Sequence, residues 1–130
     1  MRLGYNIYNQ SHCRAKKQTI DGECYDSLFE ASYAQELKLK QRAGKISGFT
    51  PHPKVDLVVC GYKVCAYTPD FLVEHLDGLM EYVECKGYPT PLFRLRYKLF
   101  YALYADKTSI KITMVQQGDF NILTPKKIKK

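Results

Sequence analysis

No stretch of this sequence approaches the roughly 18 consecutive apolar residues that a membrane-spanning helix needs, which argues against a membrane span. The opening, Met1-Arg-Leu-Gly-Tyr-Asn6, lacks the apolar run of a secretory signal, so the expected location is the cytoplasm. There is no C-x-x-C pair. The cysteines, at 13, 24, 60, 65 and 85, are odd in number. That argues against a disulfide framework and against a structural zinc site. The expectation is small, buried, apolar cysteines in a reducing compartment. His12 beside Cys13 has no second half with which to build a zinc site. Internal repeats are also missing, and a charged fraction of 25% fits neither a disordered nor a fibrous chain.

Acidic residues are the scarcer charge. Asp plus Glu is 13 against Lys plus Arg at 20, a net charge of +7. In a chain of 130 residues this favours a polyanionic partner. The hydrophobic fraction is 45%. One domain of this length buries about two-thirds of its unfolded surface. The charge is unevenly placed. Asp70, Glu74, Asp77, Glu81 and Glu84 fall within 66–86 against one base, Lys86, whereas Lys126-Lys-Ile-Lys-Lys130 is wholly basic. An acidic centre in a basic body suggests a cation site inside a polyanion-binding surface.

Residues 1–18 read as a basic arm ending in Arg14, Lys16 and Lys17, residues 19–124 as the folded domain, and 125–130 as a disordered basic tail. Asp21-Gly22 between Thr19-Ile20 and Cys24-Tyr25 spells a short hairpin. Asp26-Ser27 opens a helix to about Ala43, with Leu28, Ala31, Ala34 and Leu37 on its core face and Gly44 as its stop. Pro51-His-Pro53 interrupts the chain. Strands are expected over 54–60, 64–75 and 80–86. Thr90 caps a helix that starts at Pro91 and runs to about Ala105, and 109–115 is a last strand. The order helix, three strands, helix, strand implies an α/β domain with a mixed sheet between two helices.

Within this frame Pro69-Asp70 is followed, after thirteen residues, by Glu84-Cys85-Lys86. Strand alternation puts Glu84 and Lys86 on one face and Cys85 on the other. The hairpin register decides whether Asp70 joins them. A two-residue Asp77-Gly78 loop sets Asp70 against Cys85. A three-residue Leu76-Asp77-Gly78 loop, with glycine in the left-handed position, sets it against Glu84 and is the expected register. Two facing carboxylates about 4.5–5.5 Å apart at Cβ repel unless a cation lies between them. Hard oxygen ligands suit Mg²⁺ or Mn²⁺. The Lys86 ammonium, two residues on, then serves to position an attacking water or to stabilise a pentavalent phosphate.

Pro69-Asp70 and Glu84-x-Lys86, on adjacent strands within this order of elements, resemble the PD-(D/E)XK nuclease superfamily. Asp26-Ser-x-x-Glu30-Ala31, Tyr67-x-x-Asp70-Phe71, Glu84-x-Lys86-Gly87 and Lys98-Leu-Phe100 look most like its small phage-encoded, Holliday-junction-resolvase-like members, over roughly residues 16–105. The resemblance implies a restriction-endonuclease-like core and metal-dependent hydrolysis of DNA phosphodiesters. It implies Asp70, Glu84 and the Cys85 backbone carbonyl as metal ligands, Lys86 as the catalytic lysine, and Glu30 as an auxiliary ligand or water-orienting group. The implied cofactor is Mg²⁺ or Mn²⁺, the implied partner branched or duplex DNA, the implied assembly a homodimer, and the implied place the host cytoplasm.

Other readings of the same residues stand beside this one. Ser27-x-x-Glu30 spells a capping box in which Glu30 bonds back to the Ser27 amide. Asp70 taken singly is a turn residue, and Glu84 with Lys86 an exposed pair. Glu74, Asp77 and Glu81 read as a solvated rim, His75 as structural or exposed, and His52 carries no signal. On helix 91–105, Leu92, Leu95, Leu99, Ala102 and Leu103 form the expected core stripe. Arg94, Tyr97, Lys98 and Tyr101 form a second stripe suited to phosphates and bases, with Arg14, Lys16, Lys17 and the tail as further contacts. The alternative function is a non-catalytic nucleic-acid-binding module of the same fold.

Overall fold

The computed structural model describes residues 18–20, 23–25, 27–86, 89–116 and 124–128, with the main chain alone at 18–20, 23–24 and 86. A short hairpin comes first: β1 (Gln18–Ile20) pairs antiparallel with β2 (Glu23–Tyr25) around residues 21–22. Helix α1 (Leu28–Arg42) follows. Ser27 caps it, its Oγ accepting from the Glu30 N–H at 3.1 Å. At its other end Gly44 adopts φ +73°, while Gly44 N–H bonds to Gln41 C=O and Lys45 N–H to Lys40 C=O. That pair of bonds satisfies the last carbonyls of the helix.

The central sheet has the order β3-β6-β7-β8, with β3 (Ile46–Pro51), β6 (Phe71–His75), β7 (Met80–Lys86) and β8 (Ile110–Gln116). The first three strands are antiparallel neighbours, and β8 runs parallel to β7. The parallel step is made through α2 (Pro91–Tyr104), as a crossover helix requires. Thr90 caps α2 through its Oγ1 and Pro91 fills the first turn, both as expected. The α/β class, with a mixed sheet flanked by helices, is thus the architecture of the chain.

The strand reading needs three corrections. The run 64–75 is two strands, β5 (Tyr62–Tyr67) and β6, because Pro69 has no N–H to continue a ladder. β4 (Val55–Val59) and β5 form their own two-stranded sheet, turned by Cys60 (φ 51°) and Gly61 (φ 84°). Two successive positive φ values make a primed turn, whose twist suits a hairpin. The 46–51 segment, to which no element was assigned, is the edge strand β3, where Pro51 is tolerated because an edge needs fewer donors. Cys60 also stands exposed rather than buried.

Alternation on β7 divides the core. Val83 and Cys85 face α1, joining Ala31, Ala34, Leu37, Phe71 and Val73, and Tyr82 faces α2 and the β4–β5 hairpin. The side chain of Leu37, 2% exposed, contributes about 2 kcal/mol by burial. On α2 the buried stripe is Phe93, Tyr97 and Phe100; of the expected stripe, Leu99 and Leu103 pack half-buried against it, and Leu92, Leu95 and Ala102 do not. Leu92 and Leu95 are exposed, Leu95 at 66%. Both stripes have helical spacing, and the aromatic one wins because each ring removes more apolar area from water. In the basic tail, within 124–128, the exposed Lys127 Nζ lies 2.8 Å from Asp106 Oδ2 beyond the end of α2.

Candidate metal and nucleic-acid site

The site grows out of the β6–β7 register. Phe71 pairs with Val83 and Glu74 with Met80, and the main chain closes at His75 N–H to Leu79 C=O, 2.9 Å. Gly78 takes φ +91°, the left-handed conformation expected of the last residue of a three-residue loop. Carried one step past Phe71, this register sets Asp70 opposite Glu84. The same holds on the other side of β6. Pro51 pairs with Phe71, and the next residue, His52, donates its N–H to the Asp70 carbonyl at 2.8 Å. His52, Asp70 and Glu84 therefore stand at one level across three adjacent strands.

Pro69 explains the rest of the geometry. In an antiparallel pair the bonded residues exchange both N–H and C=O. The bonded positions of β7 toward β6 continue from Leu79 in steps of two, to Cys85, whose counterpart is Pro69. A proline cannot donate to the Cys85 carbonyl. The Cys85 N–H is instead taken by Asp70, Oδ2 at 2.6 Å. The Cys85 carbonyl faces the same side of the strand as that N–H, toward Asp70. Glu84, buried, accepts from the Tyr67 hydroxyl at 2.8 Å through Oε2. Burial, then the Glu84 charge and hydrogen bond, then Asp70, all push the Tyr67 phenol far above its ordinary range, so it stays a proton donor. Burial and the charges of Asp70, Glu30 and Glu84 likewise push the Cys85 thiol up.

Asp70 and Glu84 line one cleft of about 330 Å³ together with Tyr67, Thr90, Phe93 and Arg96. Glu30 approaches from α1, its side chain 4% exposed and its Oε1 2.6 Å from His52 Nε2. Ligand atoms of Glu30, His52 and Asp70 all lie within 4.8 Å of one another. Carboxylate oxygens with one imidazole nitrogen are a donor set that suits a divalent cation. Ser27 thus supplies its half of a capping box while the Glu30 carboxylate reaches His52.

Glu84 is not part of the group of Glu30, His52 and Asp70, although it lines the cleft with Asp70. Lys86 pairs with Gln116 of β8 in the main chain, and its side chain lies outside the described part, as do Arg14, Lys16 and Lys17. Lys98 is exposed, and Arg94 and Tyr101 are half-buried on α2. Tyr97 is corrected: it is 3% exposed, stacks on Phe93 at 5.8 Å, and belongs to the core rather than to a base-stacking surface. Burial, with Tyr101 and Glu84 nearby, pushes its phenol up to about 12.

Glu81 is corrected as well. It is no solvated rim: its side chain is 12% exposed, accepts from the Thr113 hydroxyl, and meets His75 Nε2 at 2.7 Å. Glu74 and Asp77 are exposed as expected, Asp77 accepting from Leu79 N–H at 3.0 Å.

Two residues of the cleft region were not read from the sequence. Arg96 is one. It lies off the 94-97-98-101 stripe, and only the true core face of α2 reveals that it borders the cleft. His52 is the other, and its only sequence signal is the pair of prolines around it. No helix among the described residues is long and apolar enough to cross a membrane. No curated protein and no solved structure matches the chain. A family model described as "Protein of unknown function (DUF1064)" matches residues 10–118, and the chain belongs to that family.

Proposed function

We propose that this protein is a divalent-metal-dependent endonuclease that hydrolyses DNA phosphodiesters, with a preference for branched DNA. The observation that carries the reading is the placement of Asp70 opposite Glu84 in the lining of one cleft, beside a Cys85 carbonyl that Pro69 cannot bond. Asp70, Glu84 and that carbonyl would hold Mg²⁺ or Mn²⁺, with Glu30 as an auxiliary group. A bound divalent cation supplies charge neutralisation at a phosphate and a water of lowered pKa.

The chain's own groups do the rest. Tyr67 fixes the orientation of the Glu84 carboxylate. Arg96 presents a guanidinium, whose planar fork suits phosphate oxygens. The cleft includes Thr90 and Phe93, so the N-terminus of α2 opens on it, and helix N-termini favour anions. Lys86, two residues beyond Glu84, is assigned to the attacking water or to charge on the phosphate. The net charge of +7 supports sequence-independent backbone contact. Contacts to phosphates carry no sequence information, so these groups favour recognition of DNA shape over base sequence. Symmetric cutting of a four-way junction needs two sites, which a homodimer provides.

The test is cleavage of labelled four-way junction, fork, plain duplex and single strand with Mg²⁺ or Mn²⁺. Paired nicks confined to the junction and lost in EDTA are expected. Equal cutting of every DNA overturns the branched-DNA preference. Binding without cutting, in both metals, overturns the enzyme reading in favour of a binding module.

A further inference from the structure

We propose that His52 is a metal ligand of this site, and that its imidazole makes the site select Mn²⁺ or a similar transition ion over Mg²⁺. The inference rests on the metal-dependent reading above. His52 Nε2 is 2.6 Å from Glu30 Oε1, and the ligand atoms of Glu30, His52 and Asp70 fall within 4.8 Å of one another. Two ligand atoms on one ion, each about 2.2 Å from it, stand at most about 4.4 Å apart. A movement of a few tenths of an ångström closes the group on a cation.

The placement of His52 is built into the main chain. Its N–H bonds to the carbonyl of Asp70, the residue that must share the ion. Its φ is 53°, between Pro51 and Pro53. A residue before proline is normally driven to extended backbone, so this left-handed conformation is costly and needs support. It takes the ring out of strand alternation and sets it against Tyr25, with ring centroids 6.0 Å apart, where it meets Glu30 of α1.

The electrostatics favour a cation there. Glu30 is almost wholly buried and Asp70 half-buried, so two carboxylates converge on one imidazole. Carboxylates brought together out of water raise each other's cost of ionisation, and a divalent ion removes that cost. Magnesium keeps to oxygen ligands, whereas imidazole nitrogen suits first-row transition ions. Replacing one oxygen by a nitrogen therefore moves the preference along that series.

The test uses the full chain without DNA. Mn²⁺ and Mg²⁺ affinities are measured by calorimetry for the wild type and for His52→Asn, chosen because asparagine tolerates a positive φ. Pulsed electron paramagnetic resonance of bound Mn²⁺ reports directly on coordinated nitrogen. The expected result is a ¹⁴N coupling in the wild type that disappears in His52→Asn. Mn²⁺ affinity should fall about tenfold to a hundredfold while Mg²⁺ affinity changes less than about threefold. No nitrogen coupling in the wild type, or equal losses for both ions, overturns the assignment. The outcomes separate the two proposals. A His52-dependent Mn²⁺ site on a protein that cuts no DNA removes the nuclease reading and keeps His52 as ligand. Cutting with an unchanged metal preference in His52→Asn does the reverse.

Discussion

Two glutamate–histidine pairs lie among the described residues, and their surroundings give them different characters. Glu30 meets His52 at 2.6 Å and Glu81 meets His75 at 2.7 Å. Around Glu81 the partners outnumber the acid: His75, the Thr113 hydroxyl, and Lys111 Nζ at 4.0 Å gather on one carboxylate. Burial pushes the Glu81 carboxyl up, but Thr113, His75 and Lys111 outweigh it and hold it below its ordinary range. Around His52, carboxylate oxygens of Glu30 and Asp70 and the imidazole nitrogen lie within 4.8 Å of one another. The first group is balanced by its own side chains and reads as a structural clasp between β6, β7 and β8. The second is the group proposed above to hold a cation. A histidine–carboxylate contact is therefore uninformative by itself, and what surrounds the second carboxylate oxygen decides its role.

Four substitutions sharpen or break that contrast. Asp70→Asn should have the largest effect, lowering single-turnover DNA cleavage by on the order of 10³ while DNA binding stays within about threefold. Tyr67→Phe removes the donor that orients Glu84. Cleavage should fall about tenfold to a hundredfold, with the cost appearing at saturating Mn²⁺ as well. Arg96→Ala should weaken DNA binding by about tenfold and make the dependence of log affinity on log salt shallower by about 0.9, as measured by anisotropy titration.

Glu81→Gln should leave cleavage within about twofold and show itself in stability, melting below the wild type at neutral pH and converging on it in acid. The folded Glu81 carboxyl titrates below its ordinary value of about 4.3, so the stability it contributes is complete above that value. It is lost as pH falls through the lower folded value. Thermal melts of the wild type should decline in that window, and those of Glu81→Gln should be flatter there. A large loss of cleavage in Glu81→Gln would erase the distinction between the two pairs.

The parts legible in the sequence are those fixed by local chemistry. Gly78 set the loop length, and the loop length set the register that brings Asp70 to Glu84. Thr90 and Pro91 marked the start of α2 to the residue, and alternation on 80–86 gave the faces of Glu84 and Cys85. The parts that were not legible depend on tertiary contact. β3 carries Gly48 and Pro51, has a bulge between Ile46 and Gly48, and is a strand only because β6 pairs with it. The faces of α2 follow from which of two apolar stripes fills the space under the β4–β5 hairpin. That choice moved Tyr97 into the core and brought Arg96 to the cleft. His52 enters the site through one left-handed residue, which no periodic pattern announces.

The central claim is that the carboxylates at the end of β6 and β7 work through a bound cation on DNA. Its most direct test is the rate of cleavage of labelled DNA by the full chain as Mn²⁺ is raised from zero against EDTA. The account predicts no product in EDTA and a rate that rises to saturation with Mn²⁺. Equal product in EDTA, or DNA bound at every Mn²⁺ concentration and never cut, would contradict it.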